Sequence, residues 1–156
     1  MPRQSAGLLL YRLRDGVEVL LVHPGGPYFA RKDDGAWSIP KGELEPGEEP
    51  LDVALREFAE ELGSPAPVER DALVPLGSVT QKGGKVVVAW CGPGDLDPAT
   101  LASNTFSLEW PPRSGRIVDF PEVDRAGWYG LAEARVKLLE AQVELVDRLE
   151  ALLAPG

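Results

Sequence analysis

The sequence predicts an α/β fold: one mixed sheet with helices packed on both faces. Three observations lead there. Predicted strands precede a helix, more strands follow it, and helical periodicity closes the chain. The 156 residues are 44% hydrophobic, which suits a single domain over residues 1–156 with a substantial core. The stretches 51–62 and 138–153 each carry an apolar stripe at helical spacing.

Residues 6–13 and 17–23 read as two strands joined by a hairpin turn at Asp15-Gly16. A polar, glycine-rich loop follows over 24–35, and 36–40 reads as a short strand. Pro50 suits the first turn of a helix, Leu51 to Leu62 continues it, and Gly63 ends it. Residues 68–81 and 85–91 read as strands around Lys82-Gly83-Gly84, with a Pro/Gly/Asp-rich connection over 92–103. Thr105 to Trp110 is a strand, 111–121 a loop, and 127–129 a short strand. Residues 131–137 and 138–153 read as helices, continuous or broken. Leu138, Gln142, Leu145, Leu149 and Leu152 form a stripe on the second, read as a core face.

Composition narrows the partners. A net charge of −9 leaves no broad basic surface for a nucleic-acid backbone, so none is expected. The single cysteine, Cys91, follows an apolar run and reads as a buried strand residue, which fits a reducing cytoplasm. No apolar run approaches membrane-spanning length. Gly7 to Tyr11 is too short for a signal peptide, so an unexported, cytoplasmic protein is expected.

The chemistry concentrates between residues 42 and 64. Gly42 is followed by Glu48, then Arg56-Glu57-Phe58-Ala59-Glu60-Glu61-Leu62-Gly63-Ser64. A glycine-rich turn thus precedes a helix with three clustered carboxylates. The spacing resembles the Nudix box, Gly-x5-Glu-x7-Arg-Glu-U-x-Glu-Glu-x-Gly-U, where U is bulky and aliphatic. Every charged and glycine position matches, and Ser64 at the last U departs. Seven fixed residues, each at roughly a tenth of the composition, would coincide by chance on the order of once in 10^7 starting positions. A glutamate-rich solvated helix explains the carboxylates but not Gly42, Glu48 and Arg56 at their offsets.

A helix turns roughly 100° per residue. Leu51, Leu55, Phe58 and Leu62 therefore share one stripe, and Glu57, Glu60 and Glu61 another on nearly the opposite side. Like charges at these offsets repel by a few tenths of a kcal/mol per pair, about 0.2–0.5. Such a cluster makes sense if Mg2+ or Mn2+ neutralises it, since these hard cations prefer carboxylate oxygens.

The resemblance implies an α/β/α sandwich and a divalent-metal-dependent hydrolase that cleaves a phosphoanhydride bond. It implies that Arg56 orients Glu57 through a charge-assisted hydrogen bond, and that Glu57 and Glu61 are the main metal ligands with Glu60 beside them. Glu48 supports the metal or Arg56, and a main-chain carbonyl of the turn at Lys41 and Gly42 adds a ligand. The base that takes the water's proton is a box glutamate in some members and a later-loop carboxylate in others. Glu122, six residues before Trp128, resembles that later acid and is a candidate base or ligand; Asp124 and Glu109 are weaker ones.

Trp37-Ser38-Ile39-Pro40-Lys41-Gly42 resembles the segment of dinucleoside polyphosphate hydrolases and some nucleotide hydrolases of the family. Lys41 is then a phosphate contact. Trp37 either stacks a base or fills the core. Tyr28, Phe29, Arg31 and Lys32 in the preceding loop are candidates to grip base and phosphate, and Lys82, Lys85, Arg113 and Arg116 are further phosphate candidates. The expected substrate is a small nucleoside polyphosphate, with dinucleoside polyphosphates slightly ahead of mononucleoside triphosphates. The alternatives are a Nudix-fold binding or sensor module without turnover, and a protein-interaction domain using the C-terminal helix. Homodimers are common in the family, so a homodimer is compatible with the resemblance.

Overall fold

A computed structural model describes residues 3–155. Eight strands and three helices run in the order β1 (Gln4–Leu13), β2 (Val17–Pro24), β3 (Lys41–Glu43), α1 (Pro50–Leu62), β4 (Val74–Thr80), β5 (Val86–Pro93), β6 (Thr105–Glu109), β7 (Ile117–Pro121), β8 (Val123–Gly130), α2 (Leu131–Lys137) and α3 (Val143–Leu153). The main sheet has the order β4-β5-β1-β2-β8, with β3 also paired to β1. Only β1 and β5 run parallel among its pairs. The sheet is mixed and has a helical layer on each face, as expected.

Successive strand side chains point to opposite faces. Leu8, Leu10, Leu20 and Val22 pack with Val53, Phe58 and Leu62 of α1. Leu9, Val19 and Leu21 pack with Leu138, Leu145 and Leu149 on the other side. Strands covered on both faces read as continuous apolar runs, which is how the first two appear in the sequence.

One departure from a regular sheet builds the site. β1 pairs with β2 through Tyr11–Leu13, but with β3 through Ser5–Gly7. The two long strands diverge, and residues 37–43 fill the gap. Ser38 and Val22 exchange backbone hydrogen bonds of 2.9 Å, and the Leu8 N–H donates to the Pro40 carbonyl at 3.1 Å.

Several elements differ from expectation. Residues 36–40 make isolated bridges at Trp37 and Ser38, and the regular strand begins at Lys41. Pro40 has no N–H to extend a ladder through it. A 3-10 turn at Arg70–Ala72 precedes the strand predicted from residue 68. The expected loop 111–121 closes with β7, which pairs with β6 in a separate ribbon. β8 begins four residues before the predicted strand. The terminal helices are broken by a 3-10 turn, Glu140–Gln142. Leu152 is 49% exposed, so the core stripe ends at Leu149.

α1 also sits rotated from its predicted face. Val53, Ala54, Phe58, Glu61 and Leu62 are buried, while Leu51 and Leu55 are partly so. Glu61 is therefore at the edge of the core and not opposite it. Gly63 ends the helix at φ 84°, where its N–H donates to the Ala59 carbonyl at 2.8 Å.

Candidate functional site

Three pieces of chain meet at the site: the C-terminal half of α1, the strand β3, and the corner between β7 and β8. Gly42 lies directly over α1. A β-carbon there would overlap the Glu57 carboxyl group, so only glycine lets β3 approach this closely. Next to it, the Lys41 backbone N–H donates to both Glu61 carboxylate oxygens at 3.4 Å. These bonds are long. Glu61 is 9% exposed and has no closer partner among the described residues. Burial therefore pushes its carboxyl up to about 8, against the opposing pull of Lys41 and with Glu57 and Glu122 adding to the rise. Glu57 is raised as well, first by burial and then by Glu60. Burial, helped by Lys85, lowers the Lys41 ammonium below its usual range despite Glu61, Glu43 and Glu57.

Arg56 is committed differently from expectation. Its guanidinium donates to the Glu48 carboxylate, while Glu57 lies 3.7 Å away and Glu60 4.0 Å away. Glu48 also accepts from the Glu45 N–H at 2.7 Å. Arg56 and that N–H hold its carboxyl below the ordinary range. Glu48 thus partners Arg56 here, and the predicted Arg56–Glu57 hydrogen bond is replaced by a looser ion pair.

Glu61, Lys41 and Glu122 line one cavity of 220 Å3 together with Phe29, Ser38 and Leu139. Glu122 enters it from the β7–β8 corner, fixed through its backbone: its carbonyl accepts from Gly25 at 2.9 Å and its N–H donates to Asn104 at 2.8 Å. Glu57 and Glu122 lie near enough to raise Glu61, and Glu60 and Glu122 near enough to raise Glu57. Among the described residues, no three acidic, histidine or cysteine side chains already close around one point. The donor set nonetheless fits Mg2+ or Mn2+. It offers hard oxygens only, and Glu61 is a desolvated carboxylate with no strong hydrogen bond, a state that a cation relieves.

The aromatic candidates separate clearly. Trp37 is 3% exposed, donates its indole N–H to Asp33 at 2.8 Å, and meets the rings of His23 and Tyr129 edge-on at 5.2 Å. It fills the core, which leaves no ring face for a base. Phe29 lines the cavity and is 38% exposed, with the Lys32 ammonium 5.4 Å from its ring centre. Tyr28 is exposed on the same loop against Trp110, and Arg31 is exposed without lining the cavity. His23, fully buried, spans the Asp124 carboxylate and the Lys32 carbonyl at 2.8 and 2.6 Å and ties this loop to β8. Cys91 is buried, as expected. Sequence reasoning passed over Leu139 and the role of Gln142. The one signal was a lone amide within a leucine stripe.

No helix among the described residues is long and apolar enough to cross a membrane. The family model for the NUDIX domain matches residues 1–149. An RNA pyrophosphohydrolase from Rhodospirillum rubrum is 39% identical over 66 residues, covering 40% of this chain and 38% of that protein. The fold is similar to that of a C. elegans Ap4A hydrolase in a binary complex, with TM-score 0.63, 22% identity, and coverage of 96% of this chain and 97% of the other. It is also similar to the NUDIX domain of Shewanella oneidensis NrtR complexed with ADP ribose, with TM-score 0.64, 17% identity, and coverage of 99% and 90%.

Proposed function

Because this chain belongs to the Nudix family, we propose that it is a pyrophosphohydrolase that splits a phosphoanhydride bond of a nucleoside polyphosphate with the help of Mg2+ or Mn2+. The observation that carries this reading is the shared cavity of Lys41, Glu61 and Glu122 beside Glu57 and Glu60. Glu57, Glu60 and Glu61 would hold the cation, with a main-chain carbonyl at Lys41 or Gly42 as a further donor. The cation would polarise phosphate oxygens and offset charge on the leaving group.

The chain's own groups divide the remaining work. Glu122, exposed at the cavity wall, takes a proton from the attacking water as its oxygen bonds to phosphorus and the bridging P–O bond breaks. Lys41 holds phosphate as a point charge. Phe29 offers a ring face for a base. Arg56, held by Glu48, keeps a positive charge beside Glu57 and Glu60 and so steadies the cluster. Dinucleoside polyphosphates stand slightly ahead of mononucleoside triphosphates as substrates, on the segment ending in Pro40-Lys41-Gly42.

A panel of mono- and dinucleoside polyphosphates, plus an RNA carrying a 5′ triphosphate, tests this with Mg2+ or Mn2+ in 18O-water. Product chromatography reports the substrate, and the label reports the phosphorus attacked. Glu122→Gln is expected to lower kcat by about 10^2-fold or more. Binding of nucleotides without any product, even with Mn2+, would identify a binding module instead.

A further inference from the structure

We propose that Gln81 forms a nucleobase-reading subsite beyond Leu139, that it presents a hydrogen-bond donor to a base carbonyl, and that Gln142 fixes this polarity. The proposal rests on the nucleotide reading above and adds a specificity to it.

The polarity follows from one unambiguous donor. Gln142 is fully buried in the 3-10 turn before α3. Its Oε1 accepts from the Ile39 backbone N–H at 2.9 Å. A backbone N–H can only donate, so the orientation of this amide is decided. Its Nε2 then donates to the Ser38 hydroxyl at 3.0 Å and to Gln81 Oε1 at 2.9 Å. The oxygen of Gln81 is thus turned toward Gln142. Its NH2 group has no protein partner among the described residues. The Gln81 backbone is fixed too, with its N–H donated to Lys85 at 2.7 Å and its carbonyl accepting from Gly84 at 2.9 Å. A side chain held by a rigid turn at one end and a buried amide at the other is pre-organised.

The place is next to the reaction site. Gln81 and Lys82 line a cavity of 290 Å3 with Leu139, Glu140 and Ala141. Leu139 is also a wall of the cavity that holds Lys41, Glu61 and Glu122. Ser38, in that first cavity, and Gln81, in the second, stand on either side of the single Gln142 amide. A nucleotide with its phosphates at the carboxylates can lay its base over Leu139 toward Gln81.

A donor-only contact discriminates. When the edge turned to Gln81 is the 4-position of a pyrimidine or the 6-position of a purine, an oxo oxygen there pairs with the Gln81 NH2, whereas an amino group there would meet it donor to donor and leave both unpaired. Uracil and 6-oxopurine are therefore favoured over cytosine and 6-aminopurine.

The test is calorimetric binding of the non-hydrolysable α,β-methylene analogues of UDP, CDP, IDP and ADP with Mg2+. The two oxo analogues are expected to bind about five- to tenfold tighter than their amino counterparts. Gln81→Ala is expected to abolish the difference. Gln142→Glu, in its ionised form, can still accept from Ile39 but has no donor for Gln81, so at a pH where this buried carboxyl is ionised Gln81 turns its NH2 inward and the preference reverses. Gln81 is only partly buried, so its variant keeps the test decisive if Gln142→Glu does not fold. Equal wild-type affinities, or a preference that survives Gln81→Ala, overturn the proposal and leave the nucleotide reading standing. No binding of any of the four overturns the proposal, and the substrate panel above decides separately whether the nucleotide reading fails with it.

Discussion

At the scale of single residues, the site is a compromise between burial and charge. Gly42 is present because its missing side chain gives the Glu57 carboxyl room. Gly42→Ala must push that carboxyl aside. Displacing a reacting group by about 1 Å can lower turnover by about 10^2-fold. The expected outcome is a kcat reduced by that order with the thermal midpoint changed little, read by steady-state kinetics beside a melting curve. The same residues show how much of the site the sequence made legible. Gly42, Glu57, Glu60 and Glu61 stood out through their resemblance to the Nudix box and Lys41 through the Pro-Lys-Gly segment; in the fold Gly42 lies over Glu57 and the Lys41 N–H meets Glu61. Trp37 was not decidable that way, because stacking on a base and filling the core require the same ring. Only its 3% exposure and its bond to Asp33 separate them. The burial of Glu61 was equally hidden. Periodicity fixes angles around a helix axis but not how far the helix is rolled against its sheet.

Elements raise a different question, namely how a polar loop is held at the mouth of a cavity. Asp33 accepts from both Lys137, at the end of α2, and the Trp37 indole, each at 2.8 Å. These partners, Lys137 first, hold its carboxyl below the ordinary range. A carboxylate whose value is lowered on folding lends stability above its unfolded value and loses it as pH falls through the folded one. Asp33→Asn is therefore expected to melt earlier than wild type at pH 7. The two curves should converge as pH drops below the usual carboxylate range. A constant gap across pH would show that the ion pair has no part in holding the loop. The missed elements share a cause. β7 runs from just after Arg116 to Pro121, and only pairing with β6 makes it a strand. The break at Gln142 exists because its amide bonds across to Ile39, a contact between residues 103 apart that no local pattern encodes.

For the whole molecule, an excess of nine negative charges includes a cluster that folding itself brings together. Cation binding to the native state alone should raise stability by about 2.7 kcal/mol at a hundredfold excess over Kd. For a domain of this size that is a rise in Tm of about 5–10 °C. Scanning calorimetry with Mg2+ and then with chelator checks it. Glu61→Gln should melt no earlier than wild type without metal, since a neutral amide is easier to bury, and should lose most of the metal-induced rise. Glu61→Gln showing the full rise would move the cation elsewhere. The layered architecture was readable from the alternation of strands and helices, but the divergence of β1 from β2 was not. That fork has an evolutionary corollary. The reacting strand β3 takes its register from β1 at Ser5–Gly7, whereas the loop before it is pinned separately, at Gly25 to Glu122 and at Lys32 and Asp33 to His23, Trp37 and Lys137. The stretch between those anchors, residues 26–31, is thereby a replaceable cassette: exchanging it for one of different length should alter which molecules are admitted and leave the scissile machinery in register.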